Sequence, residues 1–260
     1  MYGIEGDEVL DTARTMRVIK KRIQEELNHP YLREQLELPV IEEEKLFLLL
    51  CMLKNQKLTK EQIELYATTI ALIQIALDTH DRVKNGIQYK TNQRMQLTVL
   101  AGDYFSSLYY QTLARVEKID FIKMMAEAIQ LVNENKMLIY NREVKTFDEF
   151  MECMKFIVTT VYRKTAEYFA DYYWQQLVTE WLHYRHLQEY RHWYRDYLLE
   201  NQIPVSGDKK MERVPAVEKT LKIYLAKLDG IIARELSENP YFKKLRELFR
   251  GYRMHNTFVQ

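Results

Sequence analysis

The sequence predicts an all-helical protein, and its composition and the spacing of its apolar residues carry that prediction. Among 260 residues only seven are glycine and five are proline, which is typical of helical chains rich in Leu, Glu, Lys and Gln. Between Ile63 and Tyr110 apolar residues recur three and four positions apart, the spacing of amphipathic helices. A chain of this length buries about 70–75% of its unfolded surface, enough for a core without disulfides or metals. We therefore expect a single all-helical domain over residues 1–260.

The first three helices are predicted from proline positions and from charge. Helix one is expected over about Asp7–Leu27, because His29 precedes Pro30 and a residue before proline avoids helical conformation. A short helical turn is expected over Tyr31–Leu36. The next helix is expected over Ile41–Leu53, since its leading glutamates favour a helix N-terminus.

Two central helices are predicted within a core motif region of residues 60–115. Thr59 and Gln62 match a capping box at the head of the first. The apolar stripe of this helix comprises Ile63, Tyr66, Ile70, Ile73, Leu77 and His80. The second opens near Arg94 and contains Gly102, and glycine inside a helix costs about 1 kcal/mol relative to alanine. Gly102 therefore indicates that another group approaches this backbone closely.

Another long helix is predicted over Ile119–Tyr140. Thr146 and Glu149 form a second capping-box pattern, and the helix that they open is predicted to reach Tyr173.

The C-terminal part is predicted as a loop followed by helices. Residues 201–215 carry two prolines and a Ser-Gly-Asp sequence, which is typical of a loop. Helices are expected within 216–250, over Ala216–Ser237 and Tyr241–Arg250, separated by Asn239-Pro240. The basic residues of the last helix would touch a membrane surface or, more commonly, form a solvated face.

Charge and cysteine content narrow the class of function. A net charge of +1 argues against an electrostatic nucleic-acid binder. Cys51 and Cys153 lie in apolar helical contexts and are predicted to be buried thiols, which suits a reducing cytoplasm. The longest apolar run, Leu46–Leu53, falls short of the ~20 residues of a membrane span. We therefore expect a cytoplasmic protein without a transmembrane segment or a signal peptide.

The segment Thr179–Glu200 is rich in aromatic residues and arginines and leaves three interpretations open. His183 and His186 lie three apart and, with nearby glutamates, would form a metal-binding helix face. Those glutamates are Glu180 and Glu189. Aromatic rings interleaved with arginines would alternatively stack on single-stranded nucleic acid. Composition favours packing and contact with a protein partner, because Trp, Tyr and Arg are enriched at interface anchors.

Acidic residues cluster near the junction of the central helices. Asp78 and Asp81 lie three apart on one side of the first helix, and Asp103 directly follows a glycine in the second. Residues 77–85, LDTHDRVKN, and 97–105, LTVLAGDYF, resemble two consecutive motifs of the all-helical trans-prenyl diphosphate synthases. The resemblance implies a helical bundle of the type found in that family.

The first motif departs from the family pattern. His80 and Asp81 match its opening, whereas Arg82 and Asn85 stand where the resemblance places its second and third aspartates. Those aspartates hold Mg²⁺ in active members, and an arginine there puts a fixed positive charge where a dication would bind. The family's second aspartate-rich motif has no counterpart, since no Asp-Asp pair follows residue 100.

These departures resemble the non-catalytic subunit of heterodimeric heptaprenyl diphosphate synthases. The resemblance implies that this chain binds no cofactor, and that a catalytic partner, component 2, supplies the aspartate motifs and Mg²⁺. The pair would condense isopentenyl diphosphate onto farnesyl diphosphate for the side chain of menaquinone. No catalytic residue is expected here. The vestigial diphosphate or metal motif would comprise Asp78, His80, Asp81, Arg82, Asn85, Gly102 and Asp103.

Lys164 lies in an Arg-Lys-Thr-Ala sequence that is similar to one in the synthases, where the lysine lies near the diphosphate. A solvated helix surface explains this lysine equally well.

Other functions remain open at this point. One is an autonomous, weakly active Mg²⁺-dependent prenyltransferase with a degenerate site of Asp78, Asp81 and Asp103. Another is a free-standing protein that binds prenyl diphosphates, other prenyl lipids or nucleic acid. The motif would also be explained by a buried polar network of Asp78, His80, Asp81 and Asp103, and such a network is compatible with a non-catalytic subunit.

Overall fold

A computed structural model describes residues 6–37, 39–84, 92–206 and 213–238. Within these ranges the chain forms ten helices and no strand, which confirms the all-helical class. The helices are α1 (Gly6–Leu27), α2 (Pro30–Gln35), α3 (Glu43–Lys54), α4 (Lys60–Lys84), α5 (Asn92–Arg115), α6 (Ile119–Tyr140), α7 (Phe147–Tyr168), α8 (Tyr172–Glu189), α9 (Arg191–Glu200) and α10 (Arg213–Glu238).

Contacts within the chain group into two compact units, Met1–Met125 and Ala126–Gln260, and the boundary falls within α6. The single domain over residues 1–260 therefore stays a prediction.

In the first unit the helices gather around α4. Helices α1, α3 and α5 pack on it, and α2 contacts α5. Helix α3 is buried on nearly all sides, since Leu46–Leu50 are at most 4% exposed. A helix that is apolar all round belongs inside a core. The longest apolar run of the sequence therefore forms an interior helix of this unit.

In the second unit α7 packs along α8, and α10 contacts both α8 and α9. An aromatic cluster joins α7 to α9. The rings of Phe150 and Tyr197 stack 4.7 Å apart between centroids, and Tyr194 packs edge-on against Phe150 at 5.5 Å. These contacts make packing the role of several aromatic residues in the Thr179–Glu200 segment.

Both predicted capping boxes are formed. Gln62 N–H donates to Thr59 Oγ1 at 3.3 Å, while Thr59 N–H donates to Gln62 Oε1 at 2.9 Å. Thr146 and Glu149 make the same reciprocal pair at the head of α7. The reciprocal bonds satisfy amide groups that a bare helix end leaves unpaired, so these two starts were predictable.

The helix that Thr146 opens ends at Tyr168, so its predicted extension to Tyr173 is wrong. Ala170 adopts a left-handed conformation with φ 53°, and Asp171 N–H donates to Ala166 O at 3.0 Å. This bond closes a Schellman-type helix end. The Asp171 carboxylate then accepts from Trp174 N–H at 3.1 Å and caps α8.

The predicted loop over 201–215 is too long at its C-terminal end. Helix α10 begins at Arg213, three residues before the predicted start at Ala216. Pro215 is accommodated because a proline in the first helical turn removes an N–H that has no helical partner. The predicted helix over Tyr241–Arg250 lies outside the described residues.

None of the described helices combines the length and the apolarity that crossing a membrane requires. Cys51 and Cys153 do not form a disulfide. Cys153 is buried as predicted, whereas Cys51 is only partly buried.

Candidate functional site

A close approach between the two central helices joins His80 to Gly102. A Cβ placed on Gly102 would lie 2.5 Å from His80 Cε1 and 2.6 Å from His80 Nε2. Carbon atoms that are not bonded do not approach so closely, so the imidazole needs a glycine opposite it. The predicted close approach to the Gly102 backbone is therefore confirmed, and the group that approaches is a residue of the motif itself.

His80 also lies near the acid that follows this glycine. Its Nε2 is 3.7 Å from Asp103 Oδ1, and the two side chains are 38% and 66% exposed. Such exposure corrects the interpretation of the motif as a buried polar network. Water competes for both groups, and an exposed pair of this kind contributes about 0–1 kcal/mol to stability.

Arg82 lies on a different side of α4 from His80. Residues two apart in a helix do not share a face. The Arg82 guanidinium donates through Nη1 to Glu37 O at 3.0 Å, in the connection between α2 and α3. The positive charge at the position where the resemblance places a second aspartate is thus directed toward a main-chain carbonyl.

The acidic residues of the motif do not gather into one ligand set. Asp78 accepts from Gln74 Nε2 at 2.7 Å, on its own helix, while Asp103 is near His80. Among the residues that the structure describes, no three His, Cys, Asp or Glu side chains are placed to hold one metal ion. Asn85 lies outside the described residues. The donor set does not fit the Mg²⁺ site that the degenerate enzyme requires, since that ion demands near-octahedral oxygen ligands.

Lys164, the proposed diphosphate contact, belongs to the other unit. Its Nζ donates to Glu167 Oε1 at 3.0 Å, one turn along α7, and its side chain is 16% exposed. This local pair is what a lysine on a helix surface makes. A role toward diphosphate stays a prediction.

A cleft of about 450 Å³ lies in the first unit between α2, the α2–α3 connection, α4 and α5. Its lining comprises Leu32, Leu36, Glu37, Pro39, Thr79, Arg82, Arg94, Thr98, Ala101 and Phe105. Sequence reasoning missed this cleft, because α2 has no motif that links it to the central helices. Arg82 was visible only as a departure from the acidic pattern, and Arg94 only as the start of a helix.

The histidines of α8 do not form a metal-binding face, so that interpretation is wrong. His183 is 0% exposed, and its ring packs against Tyr224 at 5.7 Å between centroids. Burial lowers the pKa of His183 to about 3. His186 instead pairs its Nδ1 with the Tyr194 hydroxyl at 2.9 Å. One imidazole is sealed in the core and the other is engaged by a tyrosine.

The sequence matches a known family over most of its length. The profile described as Heptaprenyl diphosphate synthase (HEPPP synthase) subunit 1 matches residues 29–224. Heptaprenyl diphosphate synthase component 1 of Geobacillus stearothermophilus is 34% identical over 137 residues. That alignment covers 52% of this chain and 61% of the relative, so the chain spans about three fifths of that protein.

Solved structures of prenyl diphosphate synthases share the fold. Decaprenyl diphosphate synthase from Rhodobacter capsulatus superposes with a TM-score of 0.63 at 13% identity, covering 93% of this chain and 96% of that one. Geranylgeranyl pyrophosphate synthetase from Pyrococcus horikoshii Ot3 gives 0.62 at 15% identity, covering 88% and 90%. Heptaprenyl diphosphate synthase from Staphylococcus aureus gives 0.52 at 16% identity, covering 80% and 97%. At these identities the likeness establishes the helical fold alone.

Proposed function

Because this chain belongs to the family of heptaprenyl diphosphate synthase subunit 1, we propose that it is the regulatory, non-catalytic subunit of a heterodimeric heptaprenyl diphosphate synthase. Its partner is a catalytic subunit, component 2, which condenses isopentenyl diphosphate onto farnesyl diphosphate. The product is the precursor of the menaquinone side chain. Cys51 and Cys153, which do not form a disulfide, are in keeping with a reducing compartment such as the cytoplasm.

The observation that carries this proposal is the placement of Arg82. The guanidinium stands at a motif position that the active enzymes fill with a carboxylate, and it donates to Glu37 O at 3.0 Å. Two other acids of the motif have different partners on α4, since Asp78 accepts from Gln74 and Asp103 lies near His80. A departing pyrophosphate needs cations held against it, and this arrangement offers no gathered oxygen ligands for them.

On this proposal Mg²⁺ is bound by the partner, where it stabilises the charge that develops on the leaving diphosphate. The residues of this chain contribute through packing. His80 against Gly102 fixes the approach of α4 to α5, and these helices give the subunit a rigid surface beside the partner. A subunit that packs beside the catalytic chain stabilises and shapes its elongation tunnel without contacting the reacting atoms.

Transfer of labelled isopentenyl diphosphate to farnesyl diphosphate tests the proposal. We expect no long-chain product from this chain alone, and heptaprenyl diphosphate when it is mixed with the catalytic subunit. Sedimentation of the mixture should show a one-to-one complex. Mg²⁺-dependent product from the isolated chain would contradict the proposal, as would a mixture no more active than the catalytic subunit by itself.

A further inference from the structure

Helix α1 has an apolar inner face and a cationic outer face. It packs on α3 and α4 in the first unit. Its buried apolar side chains recur three and four positions apart and are at most 4% exposed: Met16, Ile19, Ile23 and Leu27. The opposite side of the helix carries a stripe of exposed basic residues with the same spacing, called the basic stripe below: Arg14, Arg17, Lys21 and Arg22.

Little negative charge opposes the basic stripe. Lys21 Nζ lies 3.8 Å from Glu25 Oε1, and the two side chains are 79% and 65% exposed. Water competes for a pair with such exposure, so the ion pair is weak. In the part of the chain that the structure describes, no carboxylate lies at ion-pair distance from the three arginines of the stripe. The stripe therefore keeps most of its positive charge.

Positive charge also exceeds negative charge at the N-terminal end of the stripe. Asp11 pairs with Lys54 Nζ at 2.5 Å. The hydrogen bond from Lys54 lowers the pKa of Asp11, and the charges of Lys60 and Arg14 lower it further. Three cations thus lie near a single carboxylate. The electropositive surface extends from α1 to the end of α3 and the start of α4.

An apolar side chain lies in the middle of the basic stripe. Val18 is 46% exposed and is flanked by Arg14, Lys21 and Arg22, its neighbours on the helix surface. The outer side of a surface helix is convex, whereas small-molecule sites are concave. Cations that surround an apolar residue on a convex helix face are the arrangement that binds anionic membrane surfaces. The net charge of the whole chain is only +1, so the positive charge is local and would orient the protein on such a surface.

We propose that the basic stripe of α1 docks this protein on an anionic lipid surface, with its four cations among the head groups and Val18 at their boundary with the acyl chains. Each Lys or Arg close to such a surface strengthens binding about fivefold. Binding of this kind is peripheral and reversible, and it is screened by salt. It requires neither a metal nor a catalytic partner, so it is tested separately from the proposed function.

Sedimentation of the full chain with lipid vesicles tests the proposal. We expect binding to vesicles made of equal parts phosphatidylcholine and phosphatidylglycerol, and little binding to phosphatidylcholine alone. The bound fraction should fall as salt is added, because the head groups attract the stripe by charge. Equal binding to both kinds of vesicle would overturn the proposal, as would an absence of binding to the anionic vesicles at low salt.

A triple variant removes charge from the stripe without touching the core. Arg14→Gln, Arg17→Gln and Arg22→Gln together should weaken binding to the anionic vesicles about a hundredfold. The matched control loses the same charge at exposed positions on α6 and α10, through Lys123→Gln, Lys219→Gln and Lys222→Gln. It should bind within about twofold of the wild type, because charges beyond the Debye length are screened. Undiminished binding in the stripe variant, with helix content retained in circular dichroism, would overturn the proposal.

Glu25→Gln provides a test that gains affinity. The substitution removes the carboxylate near Lys21, so binding to anionic vesicles should tighten about fivefold. Two further measurements address other partners for the same face, namely binding to poly(U) and assembly with the catalytic subunit. If either depended on the three arginines while the wild type ignored anionic vesicles, the proposal would be overturned and the stripe would be assigned to that partner.

Discussion

The imidazole of His80 lies against the α-carbon of Gly102, and a methyl group placed there would come within 2.6 Å of its Nε2. The histidine of the motif that resembles one of the prenyl diphosphate synthases thus joins two helices. The glycine that accompanies the motif is required by this contact. The neighbouring Asp103 remains 66% exposed in its side chain.

Gly102→Val should destabilise the protein, because the added side chain must displace either the imidazole or the α5 backbone. Overpacking of this kind costs about 1–3 kcal/mol. Urea unfolding followed by circular dichroism measures the change. Gly230→Ala is the matched control, since a Cβ at Gly230 meets nothing within 4 Å, and it should stabilise the protein by about 1 kcal/mol.

His80→Ala should rescue Gly102→Val, because the smaller residue vacates the space that the valine needs. In a double-mutant cycle the combined loss should be smaller than the sum of the two single losses by about 0.5–3 kcal/mol. Strict additivity would show that the two residues do not share this contact.

The free energy of unfolding should fall as the pH drops below about 6.5, because His183 binds a proton in the unfolded chain but resists it in the core. Burial lowers its folded pKa from 6.5 to about 3, with Lys155 and His186 adding repulsion. Between these two pKa values the unfolded state therefore binds more protons than the folded state. His183 then lowers the free energy of unfolding by up to about 1.4 kcal/mol for each unit by which the pH falls.

Urea unfolding at pH 7.5, 6 and 5 measures this dependence. His183→Phe keeps a ring against Tyr224 and removes the titration, so its stability should change less with pH than that of the wild type. His192→Gln alters an exposed histidine of α9 and should leave the wild-type slope intact. Equal slopes in all three proteins would contradict the assignment.

Ala170→Gly should raise the stability of the second unit. Ala170 adopts φ 53°, a left-handed conformation that costs about 1–2 kcal/mol for an L-residue and little for glycine. Since glycine also gains freedom in the unfolded chain, we expect a net gain of about 0.5–1 kcal/mol.

Thermal unfolding of Ala170→Gly should therefore show a higher midpoint than the wild type. Ala226→Gly, at an exposed helical position in α10, is the control and should lower stability by about 1 kcal/mol. A loss of stability in both variants would mean that the Ala170 turn is not maintained in solution.

Arg82→Asp should not confer prenyl transfer on the isolated chain, although it restores an acid to the motif. Asp78 and Asp103 have different partners, and the substitution also removes the bond to Glu37 O. Product formation measured with labelled isopentenyl diphosphate should stay at background. Mg²⁺-dependent turnover in this variant would show that the positive charge of Arg82 alone had suppressed the activity.

The sequence predicted those features that local physics determines. The capping boxes at Thr59 and Thr146 are decided by side chains three residues away, and the close approach at Gly102 follows from the cost of glycine inside a helix. The end of α7 was missed because the left-handed residue is Ala170, and an alanine gives no signal of that conformation.

The candidate site was less predictable, because its parts depend on tertiary contacts. Spacing places His80 and Arg82 on different sides of α4 but does not say which neighbours they meet. The carbonyl of Glu37 lies 45 residues away in sequence and carries no side-chain signature. The burial of His183 could not be predicted either, because a histidine in an aromatic-rich helix is compatible with a metal ligand or with a core residue.

Arg82 and Arg94 donate to main-chain oxygens of Glu37 and Gln35, and every amino acid supplies such an oxygen. Substitution at either acceptor position therefore preserves the bond, whereas substitution of either arginine removes it. Among relatives that retain this geometry, we expect the two arginines to be conserved, whereas the amino acids at the two acceptor positions vary. An alignment would then show conservation at the arginine positions alone. It would not show the paired substitutions by which contacts between side chains are usually detected.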